Sequence, residues 1–409
     1  MEFKEHIPHW LIADSSSLNS YVGKTIKMET SPVSKFLFFC VILSLIIPVF
    51  LFCNFRIIVY KTYLQKKSSS DNCQDLLIGN YHETDEFYAR NILEESNINF
   101  SKMNQFNPHN YLDSNITFFS YQSLIFESCM DLMDISKIAG SDLKLNILLK
   151  AIKNILFYVI YRNFFRHQKQ VGLKRVHLIA MPLLLIAALK KEHLSCSVYM
   201  HGLTIKIPKQ YFPTIDKLFV LSEDEKNYYS TLMPKNNIQL YKLKSPAKYK
   251  NNAVLLLRQN LNFSNDNEDF MSIVDVQALS SFLKEINIDL YYKIHPKTDE
   301  NKLHQLKETL KINDAYLMKD RTPISNNIEI IQPKFIFGWF SSGLAESLSL
   351  NILPVMMDPI KTSKKLKHFS NFNYKNRCLN FKTDQLLLKN CSEHDDKYKK
   401  ILHKLKNSV

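Results

Sequence analysis

The stretch 335–357 limits the fold more than any other part of the chain. Phe335-Ile336-Phe337 is an apolar run of strand length, Gly338 to Gly343 supply a tight turn, and a helix pattern runs on to about Leu350. Pro354-Val355-Met356-Met357 then returns as a second strand. Strand, turn, helix and strand make one βαβ unit, and such units build parallel sheets with helices on their faces. Ser342 or Gly343 stands where the helix N-cap is expected. Ser341 and Ser342 would then lie beside outward-pointing backbone N–H groups at the positive end of a helix dipole. That arrangement holds a phosphate without a metal. Taken alone, a serine pair here reads first as an ordinary helix cap.

A second strand upstream points to the same edge. Leu290-Tyr291-Tyr292-Lys293-Ile294 runs into His295-Pro296-Lys297. Pro296 biases His295 away from helical backbone and holds it extended at the strand's C-terminal end. Ligands of open α/β sheets bind at those ends. His295, Ser341, Ser342 and Gly343 are therefore candidates for one ligand site, although His295 alone reads equally well as a surface turn.

The rest of the chain repeats the pattern. A strand is expected at 75–79, a helix near 85–95, a strand at 116–119 and a long amphipathic helix over 141–168. That helix carries Arg162 and Arg166 among its apolar residues; its expected role is core-facing, with membrane docking as the alternative. Strands follow at 176–180, at 196–200 (ending at His201-Gly202) and at 217–221, with a helix over 182–191 between the first two. Ser222 and Glu225 have capping-box spacing for the next helix. A polar, lysine-rich stretch at 241–252 reads as a linker. Beyond it, 253–257 opens a second α/β unit, with Gln259 in the loop after that strand. A helix over 270–287, a strand over 289–294, a helix over 299–311 and a basic helical tail complete it. The expected organisation is a polar tail 1–35, a membrane anchor 36–60, and two Rossmann-like domains, 74–245 and 250–409.

With 409 residues, 45% of them hydrophobic, the chain can fill two α/β cores. Its formal net charge of +14 fits an anionic substrate or a membrane surface. No zinc finger, RNA-binding signature or arginine block is present, so nucleic acid is not an expected partner. The seven cysteines are scattered, without a CxxC pair, which argues against a disulfide framework or a zinc site. Residues 36–55, FLFFCVILSLIIPVFLFCNF, carry no charge and have the length of a bilayer core. Lys24, Lys27 and Lys35 precede the run, and Arg56, Lys61, Lys66 and Lys67 follow it, leaning toward a cytoplasmic C-terminal part.

There is no G-x-G-x-x-G and no G-x-x-x-x-G-K-[ST], which removes support for dinucleotide and P-loop chemistry. No DxD-type acidic pair closes a strand, so a metal-bridged diphosphate donor is not favoured. The succession Val254-Leu255-Leu256-Leu257-Arg258-Gln259, Tyr292-Lys293-Ile294-His295-Pro296-Lys297 and Gly338-Trp339-Phe340-Ser341-Ser342-Gly343 resembles the C-terminal half of bacterial sialyltransferases. The group meant is glycosyltransferase family 52 with the capsule polysialyltransferases. The resemblance is strongest over about 250–360.

The resemblance implies a GT-B fold, two Rossmann-like domains facing a cleft, and inverting transfer that needs no metal or other cofactor. It implies a CMP-linked sialic acid or related acidic sugar as donor, a glycan or glycolipid as acceptor, and a place at the bacterial inner membrane with the domains facing the cytoplasm. It assigns contact with the donor to His295, Ser341 and Ser342, His295 being also a catalytic candidate; Pro296, Gly343 and Gln259 are further donor-binding candidates. One departure stands out. Where those enzymes have an acidic-acidic-Gly motif, this chain has Tyr199-Met200-His201-Gly202, a form similar to teichoic-acid polymerases and Kdo-type transferases. His201 is the candidate base, since a neutral imidazole suits removal of an acceptor proton; an N-domain carboxylate is the other option. A CDP-polyol-phosphate or Kdo transferase of the same fold and a non-catalytic, membrane-anchored scaffold are the competing readings.

Overall fold

The structure, a computed structural model, describes residues 73–79, 83–103, 145–180, 182–200, 212–257, 273–295, 298, 300–320, 322–339, 341–357 and 372–408, with Pro48, Leu51, Phe55, Phe126 and Glu127 besides. The N-terminal half contains β1 (Asp75–Ile78), α1 (Glu83–Glu95), β2 (Phe100–Met103), α2 (Leu145–Gln170), β3 (Arg175–Ile179), α3 (Leu183–Lys191), β4 (Ser195–Tyr199), β5 (Lys217–Val220), α4 (Glu223–Tyr229) and β6 (Ile238–Leu240). The C-terminal half contains β7 (Asn252–Leu256), α5 (Ile273–Glu285), β8 (Asp289–Lys293), α6 (Glu300–Leu310), β9 (Leu317–Met318), α7 (Ile328–Ile331), β10 (Phe335–Gly338), α8 (Ser342–Ser349) and β11 (Leu353–Met356). It ends with α9 (Tyr374–Arg377), β12 (Leu379–Asn380), α10 (Gln385–Glu393) and α11 (Asp395–Asn407).

Each half is one parallel sheet. The strand orders are β2-β1-β3-β4-β5-β6 and β12-β11-β10-β7-β8-β9. Counted from β7, the second is the doubly wound order 3-2-1-4-5-6, whose direction reverses between β7 and β10. Ala253, Val254 and Leu255 of β7 and Phe335, Ile336 and Phe337 of β10 are fully buried. A strand covered on both faces has no polar side, so these segments read as unbroken apolar runs. In the other sheet, α1 lies across one face. Its Tyr88, Ala89 and Leu93 share a core with Leu77, Ile179, Tyr199, Phe219 and Tyr241.

Several boundaries differ from the sequence reading. The expected linker 241–252 is held at both ends: Tyr241 is buried with its phenol donating to the Met200 carbonyl (3.1 Å), and Asn252 is already the first residue of β7. The short strands β2, β6, β9 and β12 were not expected, because two to four residues carry too little pattern to register. The expected strand at 116–119 lies outside the described residues. The capping box at α4 forms, with the Ser222 oxygen accepting from Glu225 N–H. The carboxylate, however, accepts from Leu221 N–H (3.0 Å), one residue earlier than the ideal box.

The core-facing helix α2 buries one of its cations: Arg162 pairs with Glu192 and Glu127, each at 2.8 Å. The basic C-terminal segment is not a tail. Tyr398, Leu402 and Leu405 of α11 are buried, the Tyr398 hydroxyl donates to the Lys334 carbonyl (3.0 Å), and Leu353 N–H donates to the same hydroxyl (3.3 Å). Lys397, Lys399, Lys400 and Lys404 of α11 are exposed, as on the outer face of an amphipathic helix laid on a core, while Lys406 is half-buried and donates to Asn351 Oδ1.

Among the described residues no helix is long and apolar enough to cross a membrane. The expected anchor 36–60 lies outside them except for Pro48, Leu51 and Phe55, which are helical and exposed.

Candidate active site

The C-terminal edge of the second sheet gathers the residues singled out above. β8 and β10 flank β7 on either side, with Leu256 in register with Lys293 and Leu255 with Phe337. The turns after β8 and β10 therefore open at one edge, two strand spacings or about 10 Å apart. His295 is half-buried in the first turn, and its carbonyl accepts from Thr298 N–H at 2.9 Å. That bond closes the turn through Pro296, which itself lies outside the described residues. Thr298 is buried, and its hydroxyl has no hydrogen-bond partner among the described residues.

The serine pair divides its labour. Ser341, not Ser342 or Gly343, is the N-cap of α8: its backbone is extended and its hydroxyl accepts from Gly343 N–H at 3.1 Å. Its carbonyl accepts from the Tyr374 phenol at 3.0 Å. Ser342 is the first helical residue and is half-buried, and its hydroxyl has no bond to the described residues. Gly343 packs closely: a Cβ there would lie 2.5 Å from Leu256 Cδ1, so that side chain would have to move. The helix thus starts hard against the end of β7, at the reversal point of the sheet.

Charge at this edge is fixed by burial. Lys293, two residues before His295, pairs with Asp320 (2.8 Å) and donates to the Asp320 carbonyl (2.7 Å) and to Asn327 Oδ1 (3.3 Å). Burial lowers the Lys293 pKa, and Asp320 opposes that. Burial would raise Asp320, but the bonds from Lys293 and Thr322 carry it below its ordinary value. Glu346, in the second turn of α8, is buried and its pKa is raised by that burial. It accepts from Ser325 N–H at 2.9 Å, and the Ser325 hydroxyl lies 3.3 Å from the Tyr88 phenol of the N-terminal half.

The two halves meet around α8 and its neighbours. The Ser349 hydroxyl donates to the Leu221 carbonyl at 2.7 Å, just past the end of β5. Asp224 of α4 accepts from Arg377 at 2.6 Å and from Asn373 N–H at 3.1 Å. A cavity of about 350 Å³ opens between the halves, with Phe87, Tyr88, Tyr241, Lys242, Ser325 and Asn326 among its walls. A larger open cavity of about 760 Å³ lies at the opposite edge of the second sheet, between Asn251, Asn287 and Lys334. Ligands of such sheets bind at C-terminal strand ends, so its size does not make it the active site.

Of the expected site residues, the structure brings His295, Ser341, Ser342 and Gly343 to one edge. His201, Gln259 and Pro296 lie outside the described residues. Met200, just before His201, is buried at the C-terminal end of β4, where its N–H donates to the Phe219 carbonyl at 2.9 Å. Sequence reasoning missed Glu346, Tyr88 and Lys293. A signal was present for the first: Glu346 is the lone charge of α8 and falls four residues after Ser342, on the same helix face.

Two doubly wound parallel sheets in contact, with a histidine turn and a serine-capped helix at one strand edge, are the marks of the GT-B class of glycosyltransferases. The chain belongs to the alpha-2,8-polysialyltransferase family, whose sequence model matches residues 55–351. It is a glycosyltransferase of bacterial surface polysaccharide. No curated protein matches it. Among solved structures it is similar to a variant of the wall teichoic acid polymerase TagF, at 11% identity over 92% of each chain, with a TM-score of 0.44. It is also similar to S. aureus MnaA with UDP, at 10% identity over 81% of this chain and 91% of that one, TM-score 0.43. UDP-GlcNAc 2-epimerase from Neisseria meningitidis, bound to UDP-GlcNAc, gives 11% identity over 82% and 94%, TM-score 0.40.

Proposed function

We propose that this glycosyltransferase moves sialic acid, or a related acidic sugar, from a CMP-linked donor to a glycan hydroxyl, with inversion and without a metal. The observation that carries the reading is the shared edge of the β8 and β10 turns in a chain of this family. His295 and the N-terminus of α8 bring positive charge and hydrogen-bond donors to one place. Negative charge grows on the donor phosphate as its bond to the sugar breaks, and fixed donors aimed there lower the barrier. Ser342 offers its hydroxyl at the helix start, and Ser341 keeps that start in shape. Gln259 and Pro296 complete the donor side. On the acceptor side His201, or a carboxylate of the N-terminal half, takes the hydroxyl proton.

In this reading residues 74–245 hold the acceptor and 250–409 the donor. The charge-free run 36–55, with cations on both flanks, anchors the enzyme to the inner membrane with both domains in the cytoplasm. The exposed, helical Pro48, Leu51 and Phe55 support a helix there.

The test is a thermal-shift comparison of CMP, CDP, UMP, UDP and GDP, with and without divalent cations, followed by turnover of CMP-sialic acid. A ligand that binds only the folded protein raises its melting temperature. A metal-independent shift with CMP, and release of CMP from the sialyl donor, is expected. A shift with CDP instead would favour a polyol-phosphate donor, and nucleotide binding without turnover would favour a scaffold.

A further inference from the structure

We propose that Glu346 is the positioning residue of the donor-phosphate turn, and that Tyr88 of the opposite half locks it in place. Glu346 is the lone charge in α8 and is only 5% exposed. A buried carboxylate is costly unless its oxygens are satisfied. Here Ser325 N–H, in the turn before α7, donates to it at 2.9 Å. The Tyr88 phenol oxygen of α1 lies 3.3 Å from Ser325 Oγ, so Ser325 links Glu346 to the opposite half in one polar knot. Stacking sets the phenol: the Tyr88 ring lies 4.7 Å from that of Tyr241, whose own hydroxyl is bound to the Met200 carbonyl just before His201.

The knot controls the site through rigid geometry. Glu346 stands one turn after Ser342 on the same face, so holding its carboxylate fixes both the rotation and the height of α8. Rotation of that helix moves Ser342 and the open N–H groups at its start relative to His295. The turn that carries Ser325 also carries Asn327, which accepts from Lys293, two residues before His295. Glu346 and Lys293 attract one another as well. One short segment, 320–327, therefore ties the serine turn and the histidine turn together. Tyr88 makes the tie depend on the N-terminal half being docked. A domain that must close on its substrate gains from such a contact, because the phosphate site is then set only when the acceptor half is present.

The inference rests on the donor-site reading above, and the experiment separates the two. Steady-state kinetics with CMP-sialic acid would be measured on the full chain for Tyr88→Phe, Glu346→Gln, Glu346→Asp and the double variant Tyr88→Phe/Glu346→Gln. His295→Ala and Ser342→Ala serve as site controls. The expected result is a loss of about ten- to a hundredfold in kcat for each single change in the knot, with donor KM nearly unchanged. Glu346→Gln, the isostere, should retain more rate than the shorter Glu346→Asp. The double variant should be no slower than the slower single, since both changes free the same residue, Ser325. A lower melting temperature with unchanged kcat and KM would reduce the knot to a structural contact and overturn the proposal, as would additive losses. Loss of CMP affinity in Glu346→Gln with a normal Tyr88→Phe enzyme would make Glu346 a direct nucleotide ligand instead. If His295→Ala and Ser342→Ala keep full turnover, the donor-site reading itself fails.

Discussion

Arg377 and Asp224 form a forked ion pair between the two halves of the molecule. The guanidinium of Arg377 reaches Asp224 at 2.6, 3.1 and 3.2 Å, and both side chains are largely buried. The same guanidinium donates to the Leu405 carbonyl at 3.0 Å and to the Lys406 carbonyl. It thus caps the C-terminal end of α11 while holding α4 of the other half. Removing one partner of a buried pair strands the other charge, at a cost of about 3–5 kcal/mol. Arg377→Met is expected to lose stability of that order. Each half has its own sheet and core, so calorimetry should show the transition splitting in two. Arg377→Lys should rescue little, because an ammonium cannot make the fork.

His295 tests the chemistry of the donor edge. It is half-buried in a turn, and its carbonyl, not its ring, makes the turn's bond to Thr298. His295→Ala is expected to lose about a hundred- to a thousandfold in kcat, the scale of losing a charge-stabilising donor. Equal losses in kcat and kcat/KM would show that the ring acts in the transition state rather than in ground-state binding.

The two serines should separate cleanly. Ser341 supplies the cap bond to Gly343 N–H, so Ser341→Ala is expected to cost about 1 kcal/mol of stability, visible in urea unfolding. Ser341→Asp should restore stability, since aspartate caps well, while its charge would repel a donor phosphate and weaken nucleotide binding. Ser342→Ala makes no such structural loss, because the Ser342 hydroxyl has no bond to the described residues. It should lower CMP affinity, measured by calorimetry, with the melting temperature unchanged.

The elements that decide the site were readable because each carries a local signal. Phe335-Ile336-Phe337 is too apolar for an exposed strand, and Gly338 and Gly343 bracket a turn that only a βα connection explains. The Leu290–His295 run ends at a proline that stops the strand where the structure stops it, within two residues. What stayed hidden was long-range. Nothing local marks Asp224 as the partner of Arg377, since an acid in the first turn of a helix is already explained by the dipole. The N-cap slipped by one residue because Ser341, Ser342 and Gly343 are all acceptable caps. Only the extended backbone of Ser341 distinguishes them. The partners of Arg162, Glu127 and Glu192, lie 35 and 30 residues away, so nothing local marks its ion pairs.

The N-terminal sheet carries a pH-sensitive element of its own. His177 of β3 is buried, with one ring nitrogen 2.9 Å from Asp75 Oδ1 and the other 3.2 Å from the Tyr199 phenol. Burial lowers its pKa, and the neighbouring Asp75 only partly opposes that. The sign follows from proton uptake. As pH falls through about 6.5 the unfolded histidine takes a proton while the folded one does not, so the unfolded state is favoured. Stability is therefore full above that pH and declines below it, until the lowered folded-state pKa is reached. The melting temperature should fall between about pH 7 and pH 5, and His177→Gln should flatten that part of the curve. The variant should be less stable than wild type at neutral pH, having given up a packed ring, yet should lose less on acidification. A wild-type slope left unchanged by His177→Gln would place the acid sensitivity in another group.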